Sequence, residues 1–426
     1  MDEINLEIDR ISYLKKLNYL FINSKNLSEI TFILGNNTCD LDSAICSYLL
    51  SIALNIKENT IIFDNENNSK LNINSNKIYL PVLNIKRNTL KYRIDVKYVF
   101  DKFNIDENYF WYISDEFLTK EKLFQYPNIK SVYNKINSYI ILEDHNLLIE
   151  EQNYLSSYII NIYDHHIITK YNNNYPNLQS MYIKLPVGSC STLILSDFFM
   201  DNFPSKIISP LFALTANLID SRNFAKDYYG NRWVDLDKKV FDKIKSEIKD
   251  DNFNMNEYYK EISGIKHNVE KNLELGIEML LTKVQKYYDF NGFKIIWSAF
   301  YISFYDIQKH FGDDEIITNI LEYYKNKKNE EIKKIFCGTN SPVDKNKELV
   351  TIYNPAEVPI EFEEFKNEVE KNNKNYFYSM EKKIYKDKDN NEKIKGIMYY
   401  FVVNHFYTRK QIEPILQKIC YKLENS

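Results

Sequence analysis

The sequence predicts an α/β protein in two parts: a largely parallel sheet flanked by helices over residues 1–250, and a smaller α+β domain over residues 251–426. Three observations carry that expectation. Short apolar runs alternate with helical patterns through the first half of the chain, which is how parallel strands and their crossover helices are spelled. A polar break, Asp250-Asp251-Asn252-Phe253-Asn254, precedes a change of character. The length of 426 residues also exceeds one domain of ordinary size.

Taken in order, the strand candidates are Ile30-Thr31-Phe32-Ile33-Leu34, Ile61-Ile62-Phe63, Tyr139-Ile140-Ile141-Leu142 and Tyr158-Ile159-Ile160-Asn161-Ile162. Each is short, rich in β-branched residues and bounded by polar residues. Ser43 to Ile56 and Ile207 to Ile219 read as amphipathic helices, and the Asn-rich stretches Asn65 to Ser69 and Tyr171 to Asn174 as surface loops. Beyond the break, a long helical pattern runs from Glu257 to Val284. It is followed by a strand-like Phe293 to Trp297, a helix around Asp313 to Asn326 and an apolar run from Tyr399 to Val403. The charged stretch from Glu363 to Lys395 reads as a solvated helix and loop rather than a flap for a polyanion.

Composition narrows the partners. Lys and Arg number 55 against 59 Asp and Glu, a net charge of −4, so no global basic field exists to gather nucleic acid. Five cysteines, an odd number without a Cys-x-x-Cys pair, argue against a disulfide framework and for a reducing compartment. The N-terminus lacks the layout of a secretory signal, and no apolar run approaches the ~20 residues that span a bilayer. A cytoplasmic protein is expected, monomer or dimer, with no nucleic acid and no membrane among its partners.

The chemistry concentrates where apolar runs end. Tyr163-Asp164-His165-His166 closes one run and Glu143-Asp144-His145-Asn146 another, so neighbouring parallel strands would bring carboxylates and imidazoles to one sheet edge. Such a set suits Mg²⁺ or Mn²⁺. Gly35-Asn36-Asn37-Thr38-Cys39-Asp40-Leu41-Asp42-Ser43 follows a third run and precedes a helix; Asp42 or Ser43 could cap that helix, but capping does not account for both Asp40 and Asp42. Asn217-Leu218-Ile219-Asp220-Ser221 ends the helical pattern beginning at Ile207.

In this order the four segments resemble the motifs of the DHH phosphoesterase superfamily. Leu280-Leu281-Thr282-Lys283-Val284-Gln285-Lys286 and Thr408-Arg409-Lys410-Gln411 resemble signatures of its DHHA2 branch, with Val284-Gln285 and Gln411 departing from the pattern. Asn36, where pyrophosphatases carry His, the retained His166, and the stretch Leu80-Pro81-Val82-Leu83-Asn84-Ile85 followed by Arg93 and Asp95 resemble the cytosolic, yeast-type exopolyphosphatases. The resemblance implies a DHH domain and a DHHA2 substrate-binding domain with the active site in the cleft between them. It implies two or more divalent ions, Mg²⁺ or Mn²⁺, held by Asp40, Asp42, Asp144, His165 and Asp220, with Asp144, His165 and His166 catalytic. Asn36, His166, Lys286, Arg409 and Lys410 would bind substrate. The implied reaction is release of orthophosphate from the end of inorganic polyphosphate, or of another short phosphoanhydride, by a metal-activated hydroxide. Alternatives are a family II-type pyrophosphatase, a prune-like cyclic nucleotide phosphodiesterase, or a non-catalytic phosphate-binding scaffold. Arg87, Arg93 and the lysines from Lys382 to Lys386 are candidates to line a polyphosphate channel.

Overall fold

The structure is a computed structural model. It describes residues 7–63, 69–72, 74–131, 133, 135–168, 175–250, 252–290, 293–313, 315–316, 319, 333–340, 346–353, 367, 371, 377–386, 394–404, 414–415, 417–418 and 420–422. The chain divides into two compact units, Met1–Ser263 and Gly264–Ser426.

The first unit is built on six strands, numbered here β1 (Glu29–Leu34), β2 (Lys77–Leu83), β3 (Trp111–Tyr112), β4 (Asn137–Glu143), β5 (Ile159–Asp164) and β6 (Ser180–Ile183). They pair in the order β3-β2-β1-β4-β5-β6, and every pairing is parallel. The chain first winds outward from β1 to β3 and then returns to the other side of β1 at β4. That reversal opens a crevice beyond the carboxyl ends of β1 and β4, the place where open α/β sheets hold their ligands. Gly35 follows β1 and Asp144 follows β4, so the first two motifs stand at the reversal itself.

The helix after β1, α1 (Leu41–Lys57), is buried from Leu41 to Asn55. It is therefore a central helix rather than the amphipathic one expected from its pattern, and its N-cap is Asp40, not Asp42 or Ser43. Asp40 Oδ1 accepts the Ser43 backbone N–H at 3.1 Å, satisfying one of the helix's unpaired donors. Two further helices lie beside it, α2 (Cys190–Phe198) and α3 (Pro210–Asp220), the latter begun by a proline where its missing N–H costs nothing. Ile61–Phe63 does not join the parallel sheet. It pairs with Ser69–Leu71 in a three-stranded antiparallel sheet, with Ile62 and Phe63 partly exposed.

The second unit carries a mixed six-stranded sheet: β7 (Gln285–Phe290), β8 (Phe293–Phe300), β9 (Lys333–Asn340), β10 (Asn346–Tyr353), β11 (Phe377–Lys386) and β12 (Ile394–Asn404), ordered β7-β8-β9-β10-β12-β11. The long helical pattern from Glu257 is broken into Met255–Lys266, Val269–Leu273 and Ile277–Thr282. Asn268 caps the second piece through its side chain, and Gly276, at φ 80°, turns the chain into the third. A helix at Phe304–Phe311 precedes the one expected around Asp313 to Asn326, most of which lies outside the described residues. In the stretch from Glu363 to Lys395, Asn367 and Lys371 are helical and exposed as expected, whereas β11 and the start of β12 take the place of the expected loop, paired with each other. Arg409, Lys410 and Gln411 lie outside the described residues, and Lys286 is the second residue of β7.

Candidate active site

Each strand end delivers its motif differently. Glu143 is the last residue of β4, and Asp144 follows it with φ 58°, a left-handed conformation that turns the chain sharply away from the sheet. Asp tolerates that region better than most residues, and strained backbone of this kind collects at functional sites. Gly35 must be glycine for a different reason. A Cβ there would lie 2.2 Å from Ser43 Oγ and 2.6 Å from Glu143 Oε1. The missing side chain is what lets the start of α1 close over the sheet.

Asp144 is buried, and its two oxygens have separate tasks. Oδ2 accepts the Asn36 side-chain amide at 2.6 Å. Oδ1 lies 3.2 Å from His165 Nε2 and 3.9 Å from His166 Nδ1. His165 Nδ1 faces the Val187 carbonyl at 3.0 Å, which accepts its hydrogen and leaves Nε2 with a lone pair turned toward Asp144. Two lone-pair atoms at that separation need a cation between them, either a proton or a metal ion. Oδ1 has no hydrogen-bond partner of its own.

The electrostatics agree. Burial and the negative charge of Asp42 push the Asp144 carboxyl well up from its ordinary range, against the pull of His165. Burial disfavours charge on His165, but the contact with Asp144 and the charges of Asp144 and Asp42 outweigh it and hold the imidazole at about 10. Glu143 is pushed up by burial first and then by Asp144 and Asp42. Without a bound cation, this crevice gathers protons to offset its carboxylates. Among the described residues, Asp144, His165 and His166 bring one ligand atom each within 4.8 Å of one another. Carboxylate oxygen with imidazole nitrogen is a donor set that fits Mn²⁺ well and Mg²⁺ through its oxygens.

The other expected ligands stand around this group rather than within it. Asp40 is the half-buried cap of α1, and its charge acts on Asp144. Asp42 Oδ2 lies 3.9 Å from His165 Nε2. Asp42 also receives the Cys190 and Ser191 backbone N–H groups at 2.7 and 3.0 Å and the Ser189 hydroxyl at 2.7 Å. Its carboxylate thus sits at the positive end of α2, a favourable place for negative charge. Asp220 is the half-buried last residue of α3 and is not in the close group.

Asp164 departs from the expectation that two carboxylates at this edge would both face a metal. It is completely buried, and Oδ1 accepts the backbone N–H groups of His165 and His166 and the His166 ring at 2.8, 3.2 and 2.8 Å. Oδ2 takes the Asn146 amide at 2.6 Å. Burial opposes charge on Asp164, yet the hydrogen bond and charge of His166 win and hold it at about 2. Asp164 therefore fixes the two histidines from behind. Asp237 does comparable work nearby, accepting from Gly188 N, Val234 N and the Thr192 hydroxyl. Sequence reading missed both roles, although the Ser189 cap at the start of α2 was a visible signal that an anion could dock there.

Arg87, a candidate for the channel wall, is engaged within the first unit. Its guanidinium donates to the Asn108 and Phe110 carbonyls and to both oxygens of Asp115, and it lies over the Tyr112 ring at 4.2 Å. Arg93 is buried, so it is no channel lining. The side chains of Lys382, Lys383 and Lys386 lie outside the described residues.

No family model matches the chain. Over 271 residues it is 25% identical to the human protein named Exopolyphosphatase PRUNE1, a match covering 63% of this chain and 52% of that one. The chain thus spans about half the length of the curated relative it matches. Among solved structures it is similar to a chain from Methanococcus jannaschii assigned to the family II inorganic pyrophosphatases, with a TM-score of 0.56 and 18% identity over 92% of this chain and 99% of that one. Both likenesses support the DHH phosphoesterase superfamily that the motifs resemble. The superfamily's name is spelled in the strand end Asp164-His165-His166, whose aspartate orients while its histidines face Asp144. No helix among the described residues is long and apolar enough to cross a membrane.

Proposed function

We propose that the chain is a metal-dependent hydrolase of phosphoanhydrides that releases orthophosphate from the end of inorganic polyphosphate. The observation that carries the reading is the pair Asp144 Oδ1 and His165 Nε2, 3.2 Å apart with their lone pairs facing. Motifs resembling those of the DHH superfamily, a relative named an exopolyphosphatase and a fold shared with a family II pyrophosphatase support the phosphoanhydride class. Asn36, in place of the histidine of the pyrophosphatases, favours polyphosphate over pyrophosphate.

Asp144 and His165 would hold a divalent ion, Mn²⁺ or Mg²⁺, with Asp40, Asp42 and Asp220 completing a site for two or more such ions. When bound, the ions supply charge neutralisation for the phosphoryl group and acidify the attacking water. The chain's own residues supply the rest. Asn36 holds Asp144 Oδ2 and so keeps Oδ1 turned toward the ions. Asp164 holds His166 Nδ1 at 2.8 Å and so fixes this partly exposed ring, which would meet a phosphate oxygen and carry a proton there. Lys286, Arg409 and Lys410 of the second unit are proposed to grip the remaining phosphates, Arg409 through its forked donors. A cytoplasmic site of action fits four unpaired buried cysteines.

The test is phosphate release by the purified chain from long polyphosphate, tripolyphosphate, pyrophosphate and a cyclic nucleotide, each with Mg²⁺ and Mn²⁺. Polyphosphate turnover well above pyrophosphate turnover, abolished in Asp144→Asn, is the expected result. A preference for pyrophosphate would overturn the substrate assignment, and no turnover of any of the four would overturn the enzyme reading.

A further inference from the structure

Arg93 lies 55 residues beyond Thr38 in sequence, between the helical turn Arg87–Tyr92 and the helix Ile94–Lys102, yet its side chain reaches back to the first motif. It is 7% exposed, and its Nε donates to the Thr38 carbonyl at 2.5 Å. Its Nη1 is buried without a hydrogen-bond partner. A guanidinium is costly to bury, and one placed against a single backbone carbonyl needs a reason.

The reason lies in what Thr38 does next. Asn36 Oδ1 accepts the Thr38 hydroxyl at 2.6 Å, the Thr38 backbone N–H at 2.9 Å and the Cys39 N–H at 3.0 Å. Three donors on one oxygen leave the amide no choice of orientation, so Nδ2 must point the other way, to Asp144 Oδ2 at 2.6 Å. The loop that presents these donors is a tight one, with Cys39 at φ 46° and its N–H also returned to the Asn36 carbonyl. From the outside, the Thr38 carbonyl is the handle by which this loop is held. Arg93 holds it.

We propose that Arg93 is a positioning residue that sets the Asn36 amide against Asp144 through Thr38. It acts on the orientation of the Asp144 carboxylate and touches neither substrate nor ion. The inference rests on the reading of Asp144 as a metal ligand, and it assigns the chain of contacts Arg93, Thr38, Asn36, Asp144 a single purpose. It also gives the stretch from Leu80 to Asp95 a role in the site without placing it in a substrate channel. The helical turn and helix after β2 carry the arginine inward, and Asn84 at the end of β2 ties Gly35 in the same loop through its carbonyl at 2.8 Å.

The test is the Mn²⁺ concentration that half-stabilises the full chain against heat, a readout independent of turnover, measured for wild type, Arg93→Met, Arg93→Lys, Asn36→Ala and the double variant Arg93→Met/Asn36→Ala. Loss of a residue that orients a ligand weakens metal binding by about tenfold to a hundredfold. Arg93→Met and Asn36→Ala should each raise the midpoint by about tenfold, and Arg93→Lys by less. The double variant should bind no worse than Asn36→Ala alone, because the arginine has nothing left to position. Losses that add in full would overturn the proposal, as would an unchanged midpoint in a folded Arg93→Met. If Arg93→Met does not fold, Thr38→Val takes its place: it removes the hydroxyl that donates to Asn36 Oδ1 at 2.6 Å and lies 3.4 Å from Asp40 Oδ2, and an unchanged midpoint in both Thr38→Val and Arg93→Lys overturns the proposal. Wild-type protein that gains no stability from Mn²⁺ would overturn the metal reading as well.

Discussion

At the scale of single residues, the site is a problem in unpaired charge. Asp144 is buried beside Asp42 and Asp40, and its free oxygen meets only imidazoles. Asp144→Asn removes that repulsion, so the metal-free variant should melt no lower than wild type, while Mn²⁺ should no longer raise its melting temperature and phosphate release should fall by at least about a hundredfold. A variant that is destabilised without metal would mean that the carboxylate is not under repulsion. Asp164 makes the opposite prediction. It contacts the histidines and not the proposed ions, so Asp164→Asn should lower kcat by about tenfold or more through misoriented His166 while shifting KM little. An equal loss carried wholly in KM would argue that His166 binds phosphate without moving a proton. These two aspartates close adjacent strands and look alike in sequence. What separates them is which side chains fill their lone pairs, and no spacing rule reports that.

At the scale of elements, the strand ends were legible and the helices less so. Ile30 to Leu34 and Tyr139 to Leu142 lie in the two central strands, apolar runs buried on both faces, and Ile159 to Ile162 begins β5, where buried residues are interspersed with half-buried ones. α1 was misjudged as amphipathic because Ser43, Ser47, Ser51 and Asn55 look solvent-facing, whereas all four are buried and hydrogen-bonded to neighbouring elements or to the helix backbone. The junction of β1 with α1 is a tight contact in the site. Gly35→Ala pushes a methyl group into Ser43 Oγ and Glu143 Oε1, and overpacking of this order costs about 1–3 kcal/mol. We expect a lower urea midpoint with an unchanged slope, together with weaker Mn²⁺ binding because Ser43 and Glu143 flank Asp42 and Asp144. A variant with full stability would show that α1 can retreat from the sheet.

At the scale of the whole molecule, the sheet order converts three separated segments into one crevice. The motif after β1 and the motif after β4 are about a hundred positions apart in sequence, and only the reversal of strand order makes them neighbours. The alternation of runs implied a parallel sheet, but it did not contain the order 3-2-1-4-5-6, because periodicity carries no information about which strand lies beside which. A site assembled from so many elements should also couple ion binding to the stability of the first unit. At a hundred times its dissociation constant, a ligand bound only by the folded state adds about 2.7 kcal/mol. Chelation should therefore lower the melting temperature of wild type and leave that of Asp144→Asn unmoved, read by calorimetry with and without EDTA. A response to chelator in the variant would point to an ion site elsewhere.

The left-handed turn at Asp144 separates two kinds of selection that usually coincide. A library covering every amino acid at position 144, scored once for cellular abundance and once for catalysis, should give two different rankings. Abundance should be highest for Asn and Gly, which take positive φ with least strain, and lowest for Val, Ile and Thr, whose branched carbons resist it. Catalysis should accept Asp and nothing else. The most harmful alleles at this position would then be well-folded proteins rather than missing ones, persisting in the cell while still able to occupy the substrate.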